Sequence, residues 1–154
     1  MSSLSKTLAP AFRMGFMVGP KKFIENAGKT RRFIDRQGDN ILERAVAMLF
    51  VEGDIRRHHR KSLIAYKQRR DLLSHLLKKY LGDVVEFDVP EGGMAIWVKW
   101  DPKIDLNKVR DSAKSKNCYI TGPEKFSENS IRMGFASMNA KEIEKAVKIL
   151  SCCI

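Results

Sequence analysis

Apolar positions change their spacing once along this chain. Up to about residue 81 they recur at intervals of three and four, the period of a helix. Beyond it, short alternating runs intervene, the period of a strand. In the first part, Met14–Val18 is a short apolar run ended by Gly19-Pro20 and is read as a buried strand. Pro20 suits the start of a helix, where its missing N–H is not needed. That helix is expected to run to about Gln37, with Phe23, Ile24, Ala27 and Ile34 on one face. After Gly38-Asp39, Asn40 and Glu43 have capping-box spacing, and Ile41, Leu42, Ala45, Met48 and Leu49 follow at helical intervals. Gly53-Asp54 punctuates again. A longer helix is then predicted over 55–81, with Ile55, His59, Leu63, Tyr66, Leu73, Leu76, Leu77 and Tyr80 as its apolar stripe and Gly82 as its cap.

The second part reads differently. Val84–Val89 is predicted as a strand, Pro90-Glu91-Gly92-Gly93 as a turn and Met94–Trp100 as the returning strand. A helix follows from Asp105 to about Lys116. Short strands are expected at Cys118–Thr121 and Ile131–Ala136. Asn139 caps the last helix, with Glu142 at its third position and Ile143, Ala146, Val147 and Leu150 facing inward. Trp97 and Trp100, three apart in a strand, should point to opposite faces, with one of them in the core.

The expected fold class is therefore α+β, a small sheet of about four strands covered by helices over residues 53–154. Residues 1–52 read as the remnant of a larger α/β layered domain, because a lone strand cannot bury itself.

Charge and cysteines narrow the class. The net charge is +11, which favours phosphate-bearing partners. Residues 55–81 carry nine Lys or Arg against one acid, Asp71. That segment holds no recognised DNA-binding motif, so it is read as a solvated helix face. Cys118, Cys152 and Cys153 are odd in number, with two adjacent, which argues against a disulfide framework. No CxxC or paired Cys/His spacing suggests a metal, and adjacent His58 and His59 are poorly placed to share one. The ending Ser151-Cys152-Cys153-Ile154 departs from a prenylation signal, which needs Cys at position 151. No apolar run reaches the ~18 residues of a membrane span, and the N-terminus has no signal-peptide pattern. A cytoplasmic location, with no membrane association, is expected.

The stretch with the most chemistry is Ser3-Leu4-Ser5-Lys6-Thr7-Leu8-Ala9-Pro10-Ala11-Phe12-Arg13-Met14-Gly15. A lysine among small hydroxyl residues can hold an aldehyde cofactor as a Schiff base while the hydroxyls bind its phosphate. An arginine seven residues later can add a charge-assisted contact, and Gly15 permits close backbone approach.

This stretch resembles the signature of fold-type I pyridoxal-phosphate enzymes, aminotransferase class I/II. It is most similar to the aminotransferase-like domain of GntR/MocR-type transcriptional regulators. The similarity continues through Glu52-Gly53, Arg57–Lys61 and Tyr66–Asp71. It extends to the Pro90–Met94 hairpin and to Ile131-Arg132-Met133-Gly134-Phe135-Ala136, and so spans essentially the whole chain. The resemblance implies Lys6 as the Schiff-base lysine and Ser3, Ser5 and Arg13 as holders of the pyridoxal 5'-phosphate phosphate. Arg132, inside an apolar strand where an unpaired charge would be costly, would bind the carboxylate of an amino-acid substrate or effector.

The family's aminotransferase domain is more than twice this length. The part lying N-terminal to this stretch supplies the aspartate at the pyridine nitrogen, the ring-stacking aromatic, and the asparagine and tyrosine at the ring hydroxyl. Ala95 and Ser62 stand where many members carry His and Met. The resemblance thus points to the C-terminal part of an aminotransferase-like protein, inactive alone, forming a homo-oligomer and meeting DNA only through a winged-helix domain elsewhere. Two alternatives stay open: a regulator's effector domain without turnover, and a non-catalytic remnant.

Overall fold

The computed structural model describes residues 2–8, 10–34, 38–121 and 129–154. The chain divides into two compact units, Met1–Ser62 and Leu63–Ile154.

In the first unit, β1 (Ser2–Ser3) pairs antiparallel with β2 (Gly15–Phe16), Ser2 opposite Phe16 and Ser3 opposite Gly15. The expected buried strand over 14–18 is thus two residues long and paired. Phe16, Met17 and Val18 are exposed. Two serines with little strand propensity gave no sign of being its partner. Helix α1 (Lys21–Ile34) contains no buried residue, so the Phe23, Ile24, Ala27 and Ile34 face meets no covering layer within this unit. The expected end of that helix, Asp35–Gln37, lies outside the described residues.

Helix α2 (Asn40–Val51) is capped by Asp39, one residue before the expected Asn40. The Asp39 carboxylate accepts from the Leu42 backbone N–H at 2.9 Å. Either side chain can fill this role, and the backbone turn decides between them. Only Val46 is buried in α2, while Ile41, Ala45 and Met48 are exposed. Gly53 ends α2 with φ +76°, a left-handed conformation that costs a glycine little.

Helix α3 spans Asp54–Leu81. Its expected stripe is buried only near the C-terminal end, at Leu73, Leu76, Leu77 and, beyond the stripe, Leu81, whereas Leu63 is exposed. Gly82 follows because a Cβ there would lie 2.5 Å from the Lys78 carbonyl oxygen.

The second unit is built on a three-stranded antiparallel sheet, β3 (Val85–Glu86), β4 (Ala95–Trp100) and β5 (Ser130–Gly134), with β4 in the centre. Strand β3 is shorter than the predicted 84–89. Cys118–Thr121 adds no strand among the described residues. Period-two alternation sorts β4 cleanly: Ile96, Val98 and Trp100 are buried, while Trp97 and Lys99 are exposed. The buried face packs with Leu73, Leu77 and Leu81 of α3, Leu106, Val109 and Ala113 of α4 (Leu106–Ser115) and Ile143, Val147 and Leu150 of α5 (Ala140–Ser151). Each fully buried Leu, Ile or Val in such a layer contributes about 1.5–3 kcal/mol.

Local capping fixes where these helices start. Asp105 accepts from the N–H groups of Asn107 and Lys108 at the head of α4. Asn139 and Glu142 form a reciprocal capping box at the head of α5, with bonds of 3.0 and 2.7 Å. No helix among the described residues is long and apolar enough to cross a membrane.

Candidate active site

The stretch from Ser3 to Gly15 folds as a closed loop. Leu4 donates its N–H to the Met14 carbonyl at 2.9 Å, directly beyond the β1–β2 pairing. Leu4 is buried, and its carbonyl accepts from the N–H groups of Thr7 (3.2 Å) and Leu8 (2.9 Å). These bonds close a tight turn, and Lys6 lies at its exposed outer side. The Ser3 hydroxyl oxygen accepts from the Ser5 N–H at 3.3 Å. After the short 3₁₀ turn Pro10–Phe12, Arg13 has φ 46°, unusual for a non-glycine residue.

Ser3 and Arg13 line one open cavity of about 1010 Å³ together with Gly15, Arg31 and Glu43. Arg31 and Glu43 form an ion pair of 3.2 Å within its lining. Ser5 and Lys6 are near neighbours in the chain but are not part of the cavity wall. No sequence signal links Arg31 to Glu43, which lie on separate helices, so this part of the lining was not foreseen. The donor set suits a phosphorylated aldehyde: an exposed primary amine, two hydroxyl groups and a guanidinium within one loop. The cavity is of the size that small-molecule ligands occupy.

Arg132 belongs to the second unit. It sits on β5 directly opposite Trp97 of β4 and is exposed. The expectation of a buried charge in an apolar strand is therefore corrected. Alternation puts Ile131 into the core and turns Arg132 to the open face of the sheet, where water still solvates it. Arg132 also lines a cavity of about 530 Å³ with Tyr119, Thr121, Met133, Ser137 and Met138.

Arg69 and Arg70, read from sequence as parts of a basic face, are turned inward. The Arg69 guanidinium bonds to the Ala136 carbonyl, and Arg70 donates to the carbonyls of Pro90 and Glu91. Among the described residues no cluster of His, Cys, Asp or Glu could hold a metal. All three cysteines are free. Burial, and secondarily Cys153, pushes the Cys118 thiol up from its ordinary value.

Comparison with known proteins follows the same lines. An HTH-type transcriptional regulator of Bacillus subtilis, YdfD, is 29% identical over 150 residues, covering 96% of this chain and 31% of that protein. Aromatic-amino-acid aminotransferase 1 of Thermococcus litoralis is 29% identical over 157 residues, covering 98% of this chain and 37% of the enzyme. The crystal structure of a kynurenine aminotransferase from Pyrococcus horikoshii, in complex with PMP, superposes with a TM-score of 0.79 at 29% identity, over 97% of this chain and 38% of that one. The chain thus spans about a third of the length of its curated relatives. The family profile of Aminotransferase class I and II matches residues 1–150, so by sequence and by fold the chain belongs to the aminotransferase class I and II family.

Proposed function

We propose that this chain is the lysine-bearing and carboxylate-binding part of a pyridoxal-phosphate protein of the aminotransferase type. The observation that carries the reading is the closed loop in which Lys6 lies between Ser3 and Arg13, in a chain whose family match runs from residue 1 to 150. When bound, pyridoxal phosphate supplies an electron sink for chemistry at the amino-acid α-carbon. This chain's residues contribute one part of the site. The Lys6 amine would hold the cofactor at its aldehyde carbon and, when free, would serve as a general acid/base. The Ser3 and Ser5 hydroxyls donate to phosphate oxygens, and Arg13 adds a charge-assisted contact. Arg132 orients a substrate carboxylate, which suits a planar two-donor guanidinium.

A second reading is supported by the regulator relative, which aligns with 96% of this chain. In it the same residues bind cofactor and amino acid as an effector signal, with DNA contacted through a winged helix elsewhere. Both readings place the protein in the cytoplasm and in a homo-oligomer, the latter supported by exposed apolar side chains such as Phe33, Ile41 and Val51.

The test is addition of pyridoxal phosphate to the purified chain, borohydride reduction and peptide mapping by mass spectrometry. One saturable adduct on Lys6, lost in Lys6→Ala, is expected if the loop is competent alone. Scattered labelling of many lysines would mean that the loop needs the rest of the domain and that this chain by itself is inactive.

A further inference from the structure

The helical layer of the second unit has a cationic outer face that the cofactor reading does not use. Helix α5 buries Ile143, Val147 and Leu150. Its opposite side presents Lys141, Lys145 and Lys148 at positions i, i+4 and i+7, one stripe about 10 Å long at 1.5 Å per residue. Lys116, following the C-terminal end of α4, joins them around a shallow groove of about 660 Å³. The Lys116 ammonium is held there by the Cys152 carbonyl at 2.9 Å.

One acid, Glu144, lines the groove with them. Glu144 pairs with Lys148 at 2.7 Å, with both side chains about half exposed (49% and 51%). Its carboxyl lies below the usual range because of the Lys148 hydrogen bond first, then the Lys148 charge, with a further contribution from Lys79 of α3. Lys116, Lys141, Lys145 and Lys148 thus line the groove with a single carboxylate, and Lys79 of α3 is close enough to act on it. Lys141 and Lys145 have no ion-pair partner among the described residues.

From this juxtaposition we infer that the α5 lysine stripe, with Lys116 and Lys79 beside it, is a docking surface for the phosphate backbone of duplex DNA. Lysines on flexible stems are point charges that suit phosphate contacts, and they carry no means of reading bases. The groove-lining residues include no aromatic ring, and the nearby Tyr80 ring packs against the core with the Lys79 ammonium 5.2 Å from its centroid, so no open ring offers single strands a stacking platform. A net charge of +11 supplies long-range attraction. The choice of DNA among polyanions rests on the regulator reading above. The surface would add non-specific affinity to recognition supplied by another domain, and it is independent of Lys6.

The experiment is fluorescence anisotropy of a labelled random-sequence duplex titrated with the 154-residue chain at several salt concentrations. The comparison is K141Q/K145Q/K148Q against R56Q/R60Q/K61Q, which removes the same charge from exposed positions of α3. Circular dichroism and the urea midpoint establish that each variant is folded. The α5 variant should bind at least about tenfold more weakly, and its log–log salt slope should shrink by about 2.7, or 0.9 for each lost phosphate contact. The α3 variant should stay within about twofold of the parent. Equal losses in both variants would reduce the effect to net charge and overturn the assignment. So would an unchanged α5 variant, or binding through these lysines to phosphatidylserine vesicles but not to duplex. If the triple variant fails to fold, K145Q and K145E alone should weaken binding in that order, and their failure to do so overturns the inference equally.

Discussion

Arg70, on the long helix α3, donates from one guanidinium nitrogen to the carbonyl oxygens of Pro90 and Glu91, at 2.9 and 3.2 Å. Its remaining nitrogens hold Asp71 at 2.6–2.8 Å. The arginine side chain is only 16% exposed, so these bonds form with much of the guanidinium out of water. A residue that looks like surface charge in the sequence is in fact the brace for the turn between β3 and β4.

Replacing that brace should be costly. Arg70→Ala is expected to destabilise the chain by about 1.5–3 kcal/mol, the worth of hydrogen bonds from a charged donor. Arg70→Lys should recover less than half of it, because an ammonium cannot span two carbonyls and a carboxylate as a planar fork does. Urea denaturation followed by circular dichroism reads both values. A cost below about 0.5 kcal/mol for the alanine variant would refute the brace.

Trp97 and Trp100 should behave as opposites. Trp100 is 1% exposed and Trp97 is 47% exposed. Trp100→Ala is expected to cost about 3–5 kcal/mol through lost burial and a residual cavity. Trp97→Ala should cost no more than about 1 kcal/mol. Paired urea midpoints decide, and similar values for the two variants would contradict the one-sided burial of the sheet.

Asn139→Ala removes one half of the α5 capping box and should cost about 1 kcal/mol. Asn139→Asp should retain most of the stability, since a carboxylate accepts the Glu142 N–H equally well at a helix N-terminus. Thermal unfolding of the two variants tests this, with the alanine protein expected to melt several degrees lower.

The buried Cys118 thiol gives the chain an alkaline sensitivity. Its folded-state value is raised above 9.0, by burial first and then by Cys153. The folded state therefore holds this proton more tightly than the unfolded state does. The associated stability is complete below the unfolded thiol value and is lost as pH rises through the folded one. Urea midpoints should fall between neutral pH and about pH 10, and Cys118→Val should flatten part of that fall. Iodoacetamide should modify exposed Cys152 well before Cys118.

What the sequence disclosed depended on how local each interaction was. The Asn139–Glu142 box and the opposite faces of Trp97 and Trp100 are set by spacings of three residues, and both appear as expected. The Leu73, Leu76 and Leu77 stripe is likewise local and is buried. Arg69 reaches Ala136 across 67 residues, and no spacing rule encodes such a bond. Ser2–Ser3 became a strand through pairing with Gly15–Phe16, against its own composition. In the candidate site, Ser3, Ser5, Lys6 and Arg13 could be proposed from sequence because they fall within one short stretch, with Arg132 added from a distant strand. The Arg31–Glu43 pair, which lines the same cavity as Ser3 and Arg13, required two helices to meet.

The unequal exposure of the two tryptophans also gives the second unit a pair of internal optical reporters. Indole emission from Trp100, sealed in the core with its Nε1–H unbonded, should be blue-shifted and inaccessible to iodide. Trp97, beside Arg132 on the open sheet face, should emit to the red and quench readily. A carboxylate arriving at Arg132 would perturb the second signal alone, and loss of the core would move the first. Occupancy and unfolding thus become separable in one spectrum, with no label attached.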